Sequence, residues 1–195
     1  AVSRFDLVCP DGMPLVWSLN RRLDRDDKLR ERVSGAELMG EVMRQSQGDP
    51  TLRHFLLGGS QELLETLIGT LAGKFPDARI AGAYSPPFGE WPQDEFERIC
   101  GKIKEAGATF IWVGLGCPKQ ERWIGDHKDR LPAGVYFSIG AAFAFHAGMV
   151  ERAPEWCRRT GLEWAFRIYR EPRRLFRRYF TYNSLFLYYS VRDKL

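Results

Sequence analysis

The stretch VGLGCPKQERW (113–123) sets two glycines, Gly114 and Gly116, ahead of Pro118, Lys119, Gln120 and Glu121. A glycine turn that opens a helix leaves backbone N–H groups and the positive end of the helix dipole free, an arrangement that holds phosphate. Pro118 suits the first helical position, where a missing N–H costs nothing. Lys119 or Arg122 adds charge, and Gln120 and Glu121 in the first turn reach a bound sugar or ribose. The same glycines also fit an ordinary structural turn, so this motif alone leaves both readings open.

A second group of residues with chemical potential lies near the C-terminus. Arg167, Arg170, Arg174 and Arg177 share a helix face if the helical phase continues through Pro172, with Leu162, Phe166, Tyr169, Phe176 and Phe180 as a separate apolar stripe. Residues 151–195 hold ten arginines and Lys194 against five acidic residues, a net +6, while the whole chain is only +4. They also carry 11 of the 26 aromatic residues. A segment both basic and aromatic suits an anionic, partly apolar partner, which membrane headgroups and nucleic acid both provide. Arg158, Arg159 and Arg178 read as a solvated face. YNSLFLYYSV (182–191) is too short to span a bilayer but suits its interface.

The elements that must position these groups follow from the alternation of short β-branched or aromatic runs with longer amphipathic stretches, the pattern of a parallel sheet covered by helices. Strands are expected at 5–9, 54–58, 79–84, 109–114 and 135–140, and helices at roughly 35–47, 61–74, 93–106 and 119–130. The proline-rich segment 84–92 reads as a loop. Asp11-Gly12, Gly58, Gly114 with Gly116, and Gly140 then fall at the carboxyl ends of strands, where open α/β sheets place ligands. Glycines also simply terminate strands, and an Asp-Gly turn also caps a following helix. The fold class expected is α/β, a Rossmann-like domain over residues 1–150, followed by a basic aromatic helical appendage over 151–195.

Composition excludes several alternatives. No run of about 18 apolar residues spans a membrane, and the first residues lack the basic start and apolar stretch of a signal peptide, so a cytoplasmic location is expected. Cys9, Cys100, Cys117 and Cys157 form no CxxC pair, and His54, His127 and His146 are scattered, so neither a disulfide framework nor a metal site is signalled. The one DxD-like run, Asp24-Arg25-Asp26-Asp27, lies in a charged linker. No expected strand is followed by GxGxxG with an acidic residue some twenty positions on, which argues against a dinucleotide-dependent oxidoreductase.

GLGCPKQERW, SIGAAFAFHAG (138–148) and RAPEWCRRTGLEWAFRIYREPRRLFRRY (152–179), with DLVCPDGMPLVW (6–17), ERVSGAELM (31–39) and FLLGG (55–59), resemble in order the motifs of the WecG/TagA/CpsF family of bacterial glycosyltransferases, glycosyltransferase family 26. The resemblance implies an inverting, metal-independent transfer of a hexose such as N-acetylmannosamine from a UDP-sugar to an acceptor linked to undecaprenyl diphosphate, in cell-surface polysaccharide synthesis. It implies no cofactor, no nucleic-acid partner, and a peripheral position on the inner face of the cell membrane. Asp11 takes the place of the family's catalytic base; direct displacement with inversion needs one carboxylate to accept the acceptor hydroxyl's proton. Gln120 falls on the glutamine that contacts the donor sugar or catalytic centre, and the backbone around Gly114–Lys119 holds the diphosphate. Arg167, Arg174 and Arg177 match arginines thought to meet lipid or nucleotide diphosphate. The chain departs from the pattern at Phe143-Ala144-Phe145, where members carry aspartate in place of Ala144. It also begins later than members do, so an earlier strand and helix are expected to be missing. The rival reading is a nucleotide- or RNA-binding module without catalysis, its basic tail meeting a phosphate backbone; oligomeric state is left open.

Overall fold

The computed structural model describes residues 2–192, except for the side chains of 174, 177–179, 187, 190 and 191. The chain gathers into two units, one formed by residues 1–8 and 35–151, the other by 9–34 and 152–195.

The first unit is built on four parallel strands, β1 (Arg53–Leu57), β2 (Arg79–Tyr84), β3 (Phe110–Val113) and β4 (Val135–Ser138), in the order β2-β1-β3-β4. The central strand β1 is apolar on both faces because helices cover both. His54 and Leu56 point one way, Phe55 and Leu57 the other. Leu56 packs with Trp112 of β3, Met39, Leu64 and Phe143, whereas Phe55 and Leu57 pack with Ile99, Ile111 and Trp123.

Each helix carries the spacing that this burial requires. In α2 (Gly35–Gln45) the buried residues Ala36, Met39 and Met43 recur at helical intervals, as do Leu64, Leu67 and Leu71 in α3 (Gln61–Lys74). Ser60 caps α3 by accepting the Leu63 N–H at 3.2 Å. Phe96, Ile99, Cys100 and Ile103 form the buried stripe of α4 (Gln93–Ala106), which stops at Gly107 in the left-handed conformation. Then come α5 (Lys119–His127), followed by a single 3-10 turn, and the short α6 (Ala142–His146).

The expected helices and four of the five expected strands are present. The fifth, at 5–9, is absent: the residues after a 3-10 turn at Val2–Arg4 pair with no strand. Phe5 packs against the second core cluster, and Asp6 is held at 2.6 Å by Lys128 Nζ. Leu7 and Val8 are exposed. An apolar run becomes a strand only where a sheet edge accepts it, and this one is drawn off by side-chain anchors.

The second unit contains α1 (Met13–Asn20), α7 (Glu155–Arg159), α8 (Glu163–Arg170) and α9 (Pro172–Arg192). Asn20 closes the charged 20–29 loop by bonding both the N–H and the C=O of Leu29 at 2.8 Å. Gly161, at φ +72°, lets the chain pass α1 closely; a Cβ there would lie 3.1 Å from the Trp17 ring. The helical phase on which a shared arginine face depended does not continue through Pro172. Helix α8 ends at Arg170, Glu171 leaves the helical conformation (φ −134°, ψ 60°), and Pro172 starts α9 on a new phase.

Candidate functional site

In the first unit the chain runs from β1 outward to β2 and then crosses back to β3 and β4, so the direction of winding reverses between β1 and β3. Ligands of open α/β sheets sit outside the carboxyl ends of the strands at such a reversal. Gly58 and Gly114 meet there. A Cβ on Gly58 would lie 2.7 Å from the Gly114 carbonyl oxygen, and one on Gly114 would lie 2.6 Å from the Phe143 ring. These two glycines therefore answer to close packing. Gly116 (φ +82°) has open space where its Cβ would be, and Gly140 (φ +53°) faces only Gln120 Nε2, at 3.6 Å.

Around that opening lies a chain of polar contacts. Gln120, only 2% exposed, accepts the Gly116 N–H on Oε1 at 3.1 Å and donates from Nε2 to Glu121 Oε1 at 2.9 Å. Ser138, the last residue of β4, donates to the same Glu121 oxygen at 2.8 Å. The other carboxylate oxygen, Glu121 Oε2, is buried and has no hydrogen-bond partner among the described residues. Ser138 was not foreseen, although its place at the end of a strand preceding Gly140 marks the position.

Two expectations about this turn change. Pro118 follows a cis peptide and stands at the N-cap of α5, not at its first helical position. Lys119 is turned toward the 84–92 loop, donating to the Gly89 carbonyl at 2.6 Å and lying 4.2 Å from the centre of the Trp91 ring. The Gly116 N–H is occupied by Gln120, which removes it from a phosphate cradle in this arrangement.

Asp11 belongs to the second unit. The N-cap of α1 is Gly12, not Asp11. Its carboxylate is 66% exposed and stands 3.4 Å from Arg32 Nη1, which also reaches Glu163 Oε2 at 2.8 Å. Arg32 itself is nearly buried, and the Val33 N–H bonds the Pro10 carbonyl at 2.9 Å, so the loop bearing Asp11 is tied to 32–33 by side chain and backbone together. Neither Arg32 nor Glu163 was singled out in the sequence, because a pairing across some 130 residues has no local pattern. Arg167 is half-buried on α8; the backbones of Arg174 and Arg177 lie on α9, and their side chains are outside the described residues. Arg158, expected to be solvated, is partly buried and donates to the Ala153 carbonyl at 3.1 Å, whereas Arg159 is an exposed partner of Glu155. The Asp24–Asp27 run surrounds a single exposed 3-10 turn. Among the described residues no helix is long and apolar enough to cross a membrane, and no three His, Cys, Asp or Glu side chains gather as metal ligands.

A parallel sheet flanked by helices, wound in both directions and with polar side chains at its carboxyl edge, defines an α/β fold of the Rossmann-like class. The model of the WecG/TagA/CpsF family of glycosyl transferases matches residues 1–195, and the chain belongs to that family. It is 28% identical over 171 residues to the N-acetylglucosaminyldiphosphoundecaprenol N-acetyl-beta-D-mannosaminyltransferase of Bacillus subtilis (strain 168). That match takes in 88% of this chain but 63% of the relative, so the chain spans less than two-thirds of that protein's length.

Proposed function

We propose that this chain is the catalytic part of an inverting glycosyltransferase that moves a hexose, N-acetylmannosamine or a close relative, from a UDP-sugar to a sugar carried on undecaprenyl diphosphate. The observation that carries this reading is the part-buried Gln120–Glu121–Ser138 network at the carboxyl ends of β3 and β4, a polar site within a Rossmann-like sheet. The name of the Bacillus subtilis relative suggests the sugar and the lipid-linked acceptor.

In the reaction the acceptor hydroxyl attacks the anomeric carbon while UDP departs from the opposite face. Asp11 is assigned the proton of that hydroxyl, and its large exposure beside Arg32 suits a carboxylate that meets an incoming substrate. The diphosphate's growing charge is assigned to Arg167, Arg174 and Arg177, as the family resemblance implies, without a divalent cation. Exposed Trp156, Tyr169, Phe176, Phe180 and Tyr188 on the basic unit favour work at the inner membrane face, where the lipid-linked acceptor lies.

UDP-N-acetylmannosamine is expected to raise the melting temperature by mass action, and transfer to a lipid-linked N-acetylglucosamine acceptor is expected to survive EDTA. Asp11→Asn is expected to keep the melting shift and lose roughly a hundredfold or more in turnover. A requirement for magnesium or manganese would defeat the metal-free assignment. A melting shift without any transfer would leave a binding module.

A further inference from the structure

Glu121 carries an imbalance that the fold itself does not explain. One oxygen of its carboxylate takes two hydrogen bonds, from Gln120 Nε2 at 2.9 Å and Ser138 Oγ at 2.8 Å, while the other is removed from water with no partner among the described residues. A buried carboxylate oxygen left unsatisfied is costly and rarely kept without a reason. The two donors fix the plane of the carboxylate, and with it the direction of Oε2. Gln120 is in turn held by the Gly116 N–H, so the fixation extends to the open glycine turn.

We propose that Glu121 is a specificity-determining residue whose Oε2 accepts a hydrogen bond from a hydroxyl group of the bound sugar nucleotide. The inference rests on the donor assignment made above and adds the polarity of one atom. A site built to receive a hydroxyl rejects ligands that lack it, because its own buried acceptor is then left bare. Ser138 and Gln120 serve as positioning residues, setting the carboxylate's angle.

The isosteric variant Glu121→Gln isolates this atom. Two donors already face the Oε1 position, so the new carboxamide must turn its oxygen toward them and its NH2 group to where Oε2 stood. Hydrogen-bond polarity is thus inverted only at the Oε2 position, while the internal contacts survive. The variant is expected to melt at the same or a higher temperature than the parent. Its affinity for UDP-N-acetylmannosamine by titration calorimetry is expected to fall roughly ten- to a hundredfold, the usual worth of a hydrogen bond to a charged group.

Titration with UDP alone separates the two sources of the hydroxyl. An equal loss for UDP places it on the ribose, and a loss confined to UDP-N-acetylmannosamine places it on the transferred sugar. Unchanged affinity of the variant for both ligands overturns the role of Glu121 while leaving the donor assignment intact. Failure of the parent protein to bind either ligand overturns the donor assignment itself.

Discussion

At the scale of single residues, glycine has two distinct uses in this chain, which sequence alone does not separate. Gly58 and Gly114 look like ligand turns because they follow strands, yet the space beside each is filled by protein. Gly58→Ala is expected to destabilise by about 3 kcal/mol, since its Cβ meets the Gly114 carbonyl and its φ of +112° is foreign to alanine. Chemical denaturation checks this, and Gly116→Ala, which meets only its backbone preference, is expected to cost less. Gln120 and Glu121 were legible as site candidates because strand, turn and helix start are all local signals. The contribution of Ser138 was not, since the approach of β4 to α5 is decided by tertiary packing.

At the scale of elements, legibility followed the same division. Helices α3 and α4 show their limits in sequence because Ser60 and Gly107 satisfy their ends and their leucines and isoleucines keep helical intervals. The 5–9 segment misleads because strand propensity says nothing of whether an edge is free. One buried histidine ties three elements together. Trp112 Nε1 of β3 donates to Nδ1 of His54 on β1 at 3.0 Å, which leaves Nε2 to bond Ser46 Oγ, just after α2, at 2.7 Å; that hydroxyl donates onward to the Met43 carbonyl. Burial pushes the imidazole down to about 4. The unfolded chain takes up the proton near 6.5 and the folded one only near 4, so stability present above 6.5 is lost as pH falls through that window. Urea unfolding at pH 7.5 and at pH 5 should show a larger loss for the parent than for His54→Gln.

At the scale of the whole molecule, charge is segregated, with the excess of arginine in the C-terminal segment, and aromatic side chains of that segment stand exposed beside it. If Arg167 serves the leaving diphosphate, Arg167→Glu is expected to cut transfer to a lipid-linked acceptor severely. Arg159→Glu, which alters only an exposed pair with Glu155, is expected to leave transfer intact and shift stability by no more than about 0.5 kcal/mol. Equal activity of the two variants would confine the arginines to general surface attraction. The ion group that braces Asp11 has a bearing on biosynthesis. Arg32 joins Asp11 to Glu163, and the entire sheet-bearing segment is made between them. A ribosome adding 5–20 residues per second needs on the order of ten seconds to traverse that interval. The sheet can close while the proposed base still lacks half of its bracing, so a nascent chain acquires its parallel sheet before the surroundings of its proposed proton acceptor are complete.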